Sequence, residues 1–334
     1  MKRRIPISPC GILVLAIVLA ACQGGPAASP SVASNPAATS AASPAAPTPI
    51  PTAGITADVS PSVSAAPSPT PAVPNFKHVY VIVLENREYG SIVGASAAPY
   101  LNSLIARYGL ATSFYAETHP SEPNYIAMTS GGLQGTTIDA TYNLDAPNLF
   151  DQVEASGRTW HVYAQGYPGG CYKPYIADAV TDGPGAVGQY ARKHNPAISY
   201  TSISGNPSRC ANITKLAGFD PAAADFEMII PNQINDMHSS SVQAGDQFLK
   251  LFVPGIIASP AFADSALFIT WDEGGTSLRG GGHIATIVAA PGMPAGSRYT
   301  ADCNHYSLLR TIEDAWGLPP LGEAAEAAPL AFDY

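Results

Sequence analysis

Val79-Tyr80-Val81-Ile82-Val83-Leu84, followed at once by Glu85-Asn86, decides the fold. An apolar run with no polar alternation suits a strand covered on both faces, as in a parallel sheet held between helices. Residues 160–163, 227–230, 266–271 and 284–290 repeat that pattern, and helical spacing occupies residues 100–108, 124–129, 149–155, 245–258 and 307–316. Strands alternating with helices imply an α/β domain with a mostly parallel sheet and helices on both faces.

In such sheets ligands bind beyond the carboxyl ends of the strands. The residues placed there are polar in three separate cases. Residues 79–84 lead into Glu85 and Asn86, residues 227–230 into Asn235-Asp236-Met237-His238, and residues 266–271 into Asp272-Glu273-Gly274-Gly275. Carboxylates gathered at one edge repel one another unless a cation lies between them. Glu85, Asn86, Asp272 and Glu273 offer oxygen, which suits Mg, Ca or Mn; nitrogen from His238, His283 and His305 shifts the choice towards Zn or Fe.

Ser121 lies in His119-Pro120-Ser121-Glu122-Pro123-Asn124-Tyr125, in a proline-flanked turn just before the helical stretch that starts near Asn124. It reads either as a helix N-cap or as a nucleophile exposed on a tight turn near a helix dipole, with a metal to stabilise its alkoxide.

These segments, with residues 304–314 (Asn304-His305-Tyr306-Ser307 onward), resemble the bacterial phosphoesterase family that contains acid phosphatases and phospholipases C. The resemblance runs from about residue 77 to about residue 322. It implies an alkaline-phosphatase-like three-layer sandwich with a mostly parallel central sheet. It further implies a metal shell of Glu85, Asn86, Ser121, Asp272 and Glu273, holding one or two divalent ions, and a phosphoseryl intermediate on Ser121. Asn124 corresponds to the amide that stabilises the transferring phosphoryl oxygens. His238 and His194 are candidates for phosphate contact or leaving-group protonation, and Asp236, His283 and His305 for further metal or phosphate contacts. The implied substrate is a phosphate ester: a monoester for an acid phosphatase, or a phospholipid diester for a phospholipase C. A non-catalytic surface-binding lipoprotein is the alternative of another class.

The chain around this domain points to export. Lys2, Arg3 and Arg4 precede an apolar run over residues 12–21 that ends at Cys22. About ten apolar residues is signal-peptide length, whereas a membrane span needs roughly twenty. Leu19-Ala20-Ala21-Cys22 resembles a lipobox, so the reading is a signal peptide over residues 1–21, a lipidated Cys22 and a cell-envelope lipoprotein held to the membrane surface on its extracytoplasmic face. Residues 22–74 form a tether rich in Pro, Ala, Ser and Thr, with Asp58 its one charged residue, and such a composition cannot offset its ordering entropy. Residues 75–334 are the phosphoesterase domain, with residues 167–221 as an insertion shaping the substrate pocket. Loss of the three basic signal residues takes the net charge of −9 to −12, a field that disfavours nucleic acid. Export permits a disulfide; Cys171 with Cys210 is the favoured pair and three free thiols the alternative, with Cys303 left over in the first case.

Overall fold

The computed structural model describes residues 73–174 and 190–334. The expected signal segment, Cys22 and the tether up to residue 72 lie outside the described residues, as does part of the expected insertion. Among the described residues no helix is long and apolar enough to cross a membrane.

The strands are β1 (Val79–Leu84), β2 (Gly109–Tyr115), β3 (Trp160–Ala164), β4 (Ile213–Lys215), β5 (Phe226–Ile230), β6 (Ala266–Trp271), β7 (His283–Ala289), β8 (Ser297–Tyr299) and β9 (Cys303–Asn304). They form one sheet in the order β4-β3-β5-β1-β6-β7-β2-β8, with β9 also pairing β2. Every pairing is parallel except those of β7, which runs against β6 and β2. The helices are α1 (Pro99–Arg107), α2 (Ser121–Ser130), α3 (Leu149–Ala155), α4 (Thr201–Ser204), α5 (Pro207–Cys210), α6 (Val242–Ile257) and α7 (His305–Trp316). They cover a three-layer α/β architecture in which α1 packs with α6, and α2 with α3 and α7.

All the apolar runs read as strands are strands. Those at the centre, β1, β5 and β6, are buried along their whole length, which explains their lack of alternation. β2 was not anticipated. It follows α1 almost directly, carries Thr112 and Ser113 in its middle, and breaks register between Ala111 and Phe114. β4, β8 and β9 are two or three residues long, too short for a period to show.

Two local devices shape the polar edge of the sheet. Asn304 and Ser307 form a reciprocal capping box that starts α7 at His305, and Gly317 ends it in a left-handed turn. α2 is buried at all ten of its positions and so forms part of the core rather than a surface layer. Cys171 and Cys210 are joined by a disulfide with Cα atoms 5.3 Å apart, and Cys303 is a buried free thiol.

Away from the polar edge, Glu227 on β5 is fully buried, with Oε1 accepting from Ala224 N at 3.1 Å and no hydrogen bond to Oε2. Burial pushes its carboxyl up from 4.5 to about 8. The folded chain therefore holds a proton that the unfolded chain releases across that window, and this group's contribution to stability falls as pH rises through it. Glu227→Gln should flatten the dependence: urea melts of wild type lose more stability between about pH 5 and about pH 8 than melts of the variant.

Candidate active site

The edge beyond β1, β5 and β6 is locked by backbone hydrogen bonds before any side chain contributes. Glu85 N donates to Asp236 O at 2.8 Å and Asp272 N to Leu84 O at 2.9 Å. Asn86, in a left-handed conformation, gives its N–H to Asp272 Oδ1 at 3.1 Å. The three carboxylates Glu85, Asp236 and Asp272 are thereby brought together, each almost completely buried.

Ser121 is not an N-cap. Pro120 occupies that place, Ser121 is the first residue of α2, and its hydroxyl donates to Glu85 Oε2 at 3.2 Å. The other Glu85 oxygen accepts from the Tyr125 hydroxyl, one helical turn further along. Pro123 fits within the first turn because it has no N–H to lose there. The helix N-terminus is held by Asp139, whose Oδ1 accepts from Glu122 N at 3.0 Å.

Asn124 works as a clamp. Its Oδ1 accepts from Glu117 N at 3.0 Å and Thr118 N at 3.1 Å, while Nδ2 donates to Thr118 O at 2.8 Å and reaches Glu273 Oε2 at 3.4 Å. Glu273 also faces His119, whose Nδ1 lies 3.0 Å from Oε2 and whose Nε2 lies 2.9 Å from Thr276 O. Tyr125, His119 and Asp139 were not singled out from the sequence. The first two stand inside the motif around Ser121, which was the available signal.

His194 lies between two acids, with Nε2 3.3 Å from Glu85 Oε1 and Nδ1 3.4 Å from Asp236 Oδ2. Its ring stacks on Tyr125 and lies 5.7 Å from the ring of His238. His238 is half-buried, and its Nδ1 meets Ser239 Oγ at 3.0 Å. His305 stands one layer behind, with Nε2 2.7 Å from the Asp272 carbonyl oxygen and its other nitrogen unpaired. His283 is not brought to the cluster: Nε2 meets Thr112 O at 3.0 Å and the ring is stacked on Tyr89 and Tyr115. Its ring thus has other partners than Glu85, His194 and His238. As the first residue of β7, the strand that runs antiparallel, it is drawn into that aromatic stack.

The electrostatics are those of a site short of positive charge. Burial, then Asp272 and Asp236, push the Glu85 carboxyl well above the usual range, and burial does the same to Asp236. Burial also raises Asp272, and burial with Asp272 raises Glu273 to about 7. Burial lowers His194 far below the usual imidazole value, lowers His238, and takes His305 to about 4. Neutral imidazoles beside carboxylates are the forms that ligate metal.

A divalent ion fits this donor set. Asp236 Oδ2, Asp272 Oδ2 and His194 Nε2 are buried without a hydrogen bond, although such atoms are normally paired. Glu85, His194 and His238 each offer a ligand atom within 4.8 Å of the others. Glu85 Oε2 accepts from the Ser121 hydroxyl, while Oε1 lies 3.3 Å from His194 Nε2.

The sequence pattern of the Phosphoesterase family matches residues 95–319. The chain belongs to that family. It is a hydrolase of phosphate esters, and its sheet is that of the alkaline-phosphatase-like fold. The phosphatidylinositol-3-phosphatase of Mycobacterium tuberculosis is 33% identical over 261 residues, covering 78% of this chain and 83% of that protein. The acid phosphatase of Aspergillus fumigatus is 28% identical over 257 residues, covering 74% of this chain but 56% of the fungal enzyme. Among solved structures, a protein in the alkaline phosphatase superfamily from Vibrio parahaemolyticus matches with a TM-score of 0.50 at 13% identity, over 77% of this chain and 72% of that one. The family pattern begins after Glu85 and Asn86, so the place of those two in the site rests on geometry.

If the orphaned atoms mark a cation site, added Mn²⁺ or Zn²⁺ should raise the melting temperature of chelator-treated protein by several degrees, through its preference for the folded state. Asp272→Asn should abolish most of that rise, read by calorimetry with no substrate present.

Proposed function

We propose that the chain is a divalent-metal-dependent phosphomonoesterase of acid-phosphatase type, with Ser121 as the nucleophile. The observation that carries this reading is the buried Ser121 hydroxyl, held at the start of α2 and aimed at Glu85 instead of capping the helix. Glu85, Asp272 and Ser121 would hold the ion, with Asn86, Glu273, His194 and His238 beside them. When bound, the ion neutralises charge on the phosphoryl oxygens and favours the ionised serine.

The residues of the chain divide the remaining work. Glu85 Oε2, which accepts from the Ser121 hydroxyl, takes its proton as the serine oxygen attacks phosphorus and the ester P–O bond breaks, giving a phosphoseryl intermediate. The leaving oxygen takes a proton from an imidazole, and His238, half-buried beside His194, is the candidate donor, its lowered pKa making the charged form readier to give that proton up. Water then attacks phosphorus and gives a proton back to the imidazole as the serine P–O bond breaks, and Glu85 returns its proton to restore the hydroxyl. Asn124 fixes the loop at residues 117–118 against the nucleophile's helix, so that the attacking oxygen is held in line.

The alternative of a phospholipase C differs in the bond cleaved, so the choice belongs to the assay. The non-catalytic lipoprotein reading gives way to family membership. Export and anchoring through Cys22 remain part of this proposal, supported by the basic start, the apolar run and the lipobox-like ending.

Ser121→Ala should lower turnover of p-nitrophenyl phosphate by roughly 10³-fold or more, and chelation should remove the same activity. Wild-type turnover in the variant would sink the mechanism. Parallel assays on phosphatidylinositol 3-phosphate, as a lipid monoester, and on phosphatidylcholine, as a diester, separate the two substrate classes; choline phosphate released from the second would favour phospholipase C.

A further inference from the structure

Residues 192–194 pack against the start of α2. Arg192, fully buried, pairs with the Glu122 carboxylate and donates to Ala140 O and Tyr142 O at 2.9 Å each. His194 reaches Glu85 and Asp236. Between them, Lys193 Nζ lies 2.8 Å from Asp139 Oδ2, and the other oxygen of that carboxylate holds the N–H of Glu122, the residue after Ser121. The ammonium thus stands one hydrogen-bonded link from the backbone beside the nucleophile.

Among the described residues two arginines also adjoin the site, and both are spent on structure. Arg192 is committed as above, and Arg87 donates to the carbonyls of Asn86, Met237 and Ser240. Among the described residues, Lys193 has Asp139 as its one partner. An ammonium carries three hydrogens, so two remain to donate. The pair is only 12% and 18% exposed. Its charges reach the cluster: Lys193 acts on Glu85, Asp272, Asp236, His194 and His238, and Asp139 acts on His238 and Glu273.

We propose that Lys193 is a phosphate-binding residue of this site and that Asp139 is the positioning residue that aims it. This rests on the reading of Ser121 as nucleophile in phosphoryl transfer. A phosphate monoester brings up to two negative charges to an edge already crowded with carboxylates. Lys193 can donate to a phosphoryl oxygen while keeping Asp139, and in a half-dry site such a contact strengthens as charge moves onto the equatorial oxygens.

The test reads binding and turnover separately, on metal-loaded protein. Lys193→Met should weaken inorganic phosphate about tenfold by calorimetry and lower kcat/KM on p-nitrophenyl phosphate about 10²-fold, with the melting temperature and metal content of wild type. Lys193→Arg should recover most of both. Asp139→Asn should cost less, and combined with Lys193→Met should add little. Unchanged phosphate affinity in folded Lys193→Met overturns the proposal, as does a loss of activity that tracks a lower melting temperature while affinity holds. Wild type that binds phosphate through Lys193 but turns over no ester would overturn the nucleophile reading and leave the Lys193 assignment standing. Wild type that binds no phosphate overturns it.

Discussion

The constraint on which the structure depends is the burial of three carboxylates at one sheet edge. Glu85, Asp236 and Asp272 are held there by the backbone: β1 pairs in parallel with β5 and β6, and the chain continues the pairing past the strand ends through Glu85 N to Asp236 O and Asp272 N to Leu84 O. The backbone positions of these three residues cannot separate without breaking main-chain bonds at the edge of the sheet. Removing such groups from water carries a penalty of several kcal/mol per ion unless opposite charge accompanies them. The fold thus creates a demand for positive charge that its own side chains meet only in part.

α2 is the second consequence. A helix buried along all its length brings a polar N-terminus into the core, where unpaired N–H groups are costly. Asp139 takes one of them, Asn124 ties the preceding loop down, and the Arg192–Glu122 pair fixes the first turn from the side. Ser121 is consequently relieved of capping and left to face Glu85. Removal of Arg192 would leave Glu122 charged and buried, which is why this pair is better understood as holding position than as adding stability.

The sheet's centre was legible because burial on both faces leaves an uninterrupted apolar run, as in residues 79–84 and 266–271. Its rim was not, since strands of two or three residues carry no period. Site residues that directly follow long strands, Glu85, Asp272 and Glu273, could be read from position alone. His194 could be named only from a resemblance, because nothing in Arg192-Lys193-His194 shows that the segment folds over α2. His283 shows the converse: because β7 runs antiparallel, its first residue stands at the correct edge, but Tyr89 and Tyr115 claim its ring. Asp139 lies in a loop with no periodic neighbour, so its hold on Glu122 N had no sequence signature.

The charge deficit also bears on which ligands the site can accept. Without a cation the carboxylates are driven towards protonation and the imidazoles towards neutrality, so the cluster would sit nearly uncharged and have little hold on an anion. With a divalent ion in place the carboxylates can ionise, and nearby positive charge then comes from the ion, from Lys193 and from His119, whose pKa rises because the Thr276 carbonyl and Glu273 outweigh its burial. A dianionic phosphoryl group meets that distribution better than a neutral ester carbonyl does, because its charge is spread over three oxygens that need donors from several directions. The chemistry of the family and the electrostatics of this sheet edge therefore follow from one physical fact: the strands deliver more acid than the protein can neutralise by itself.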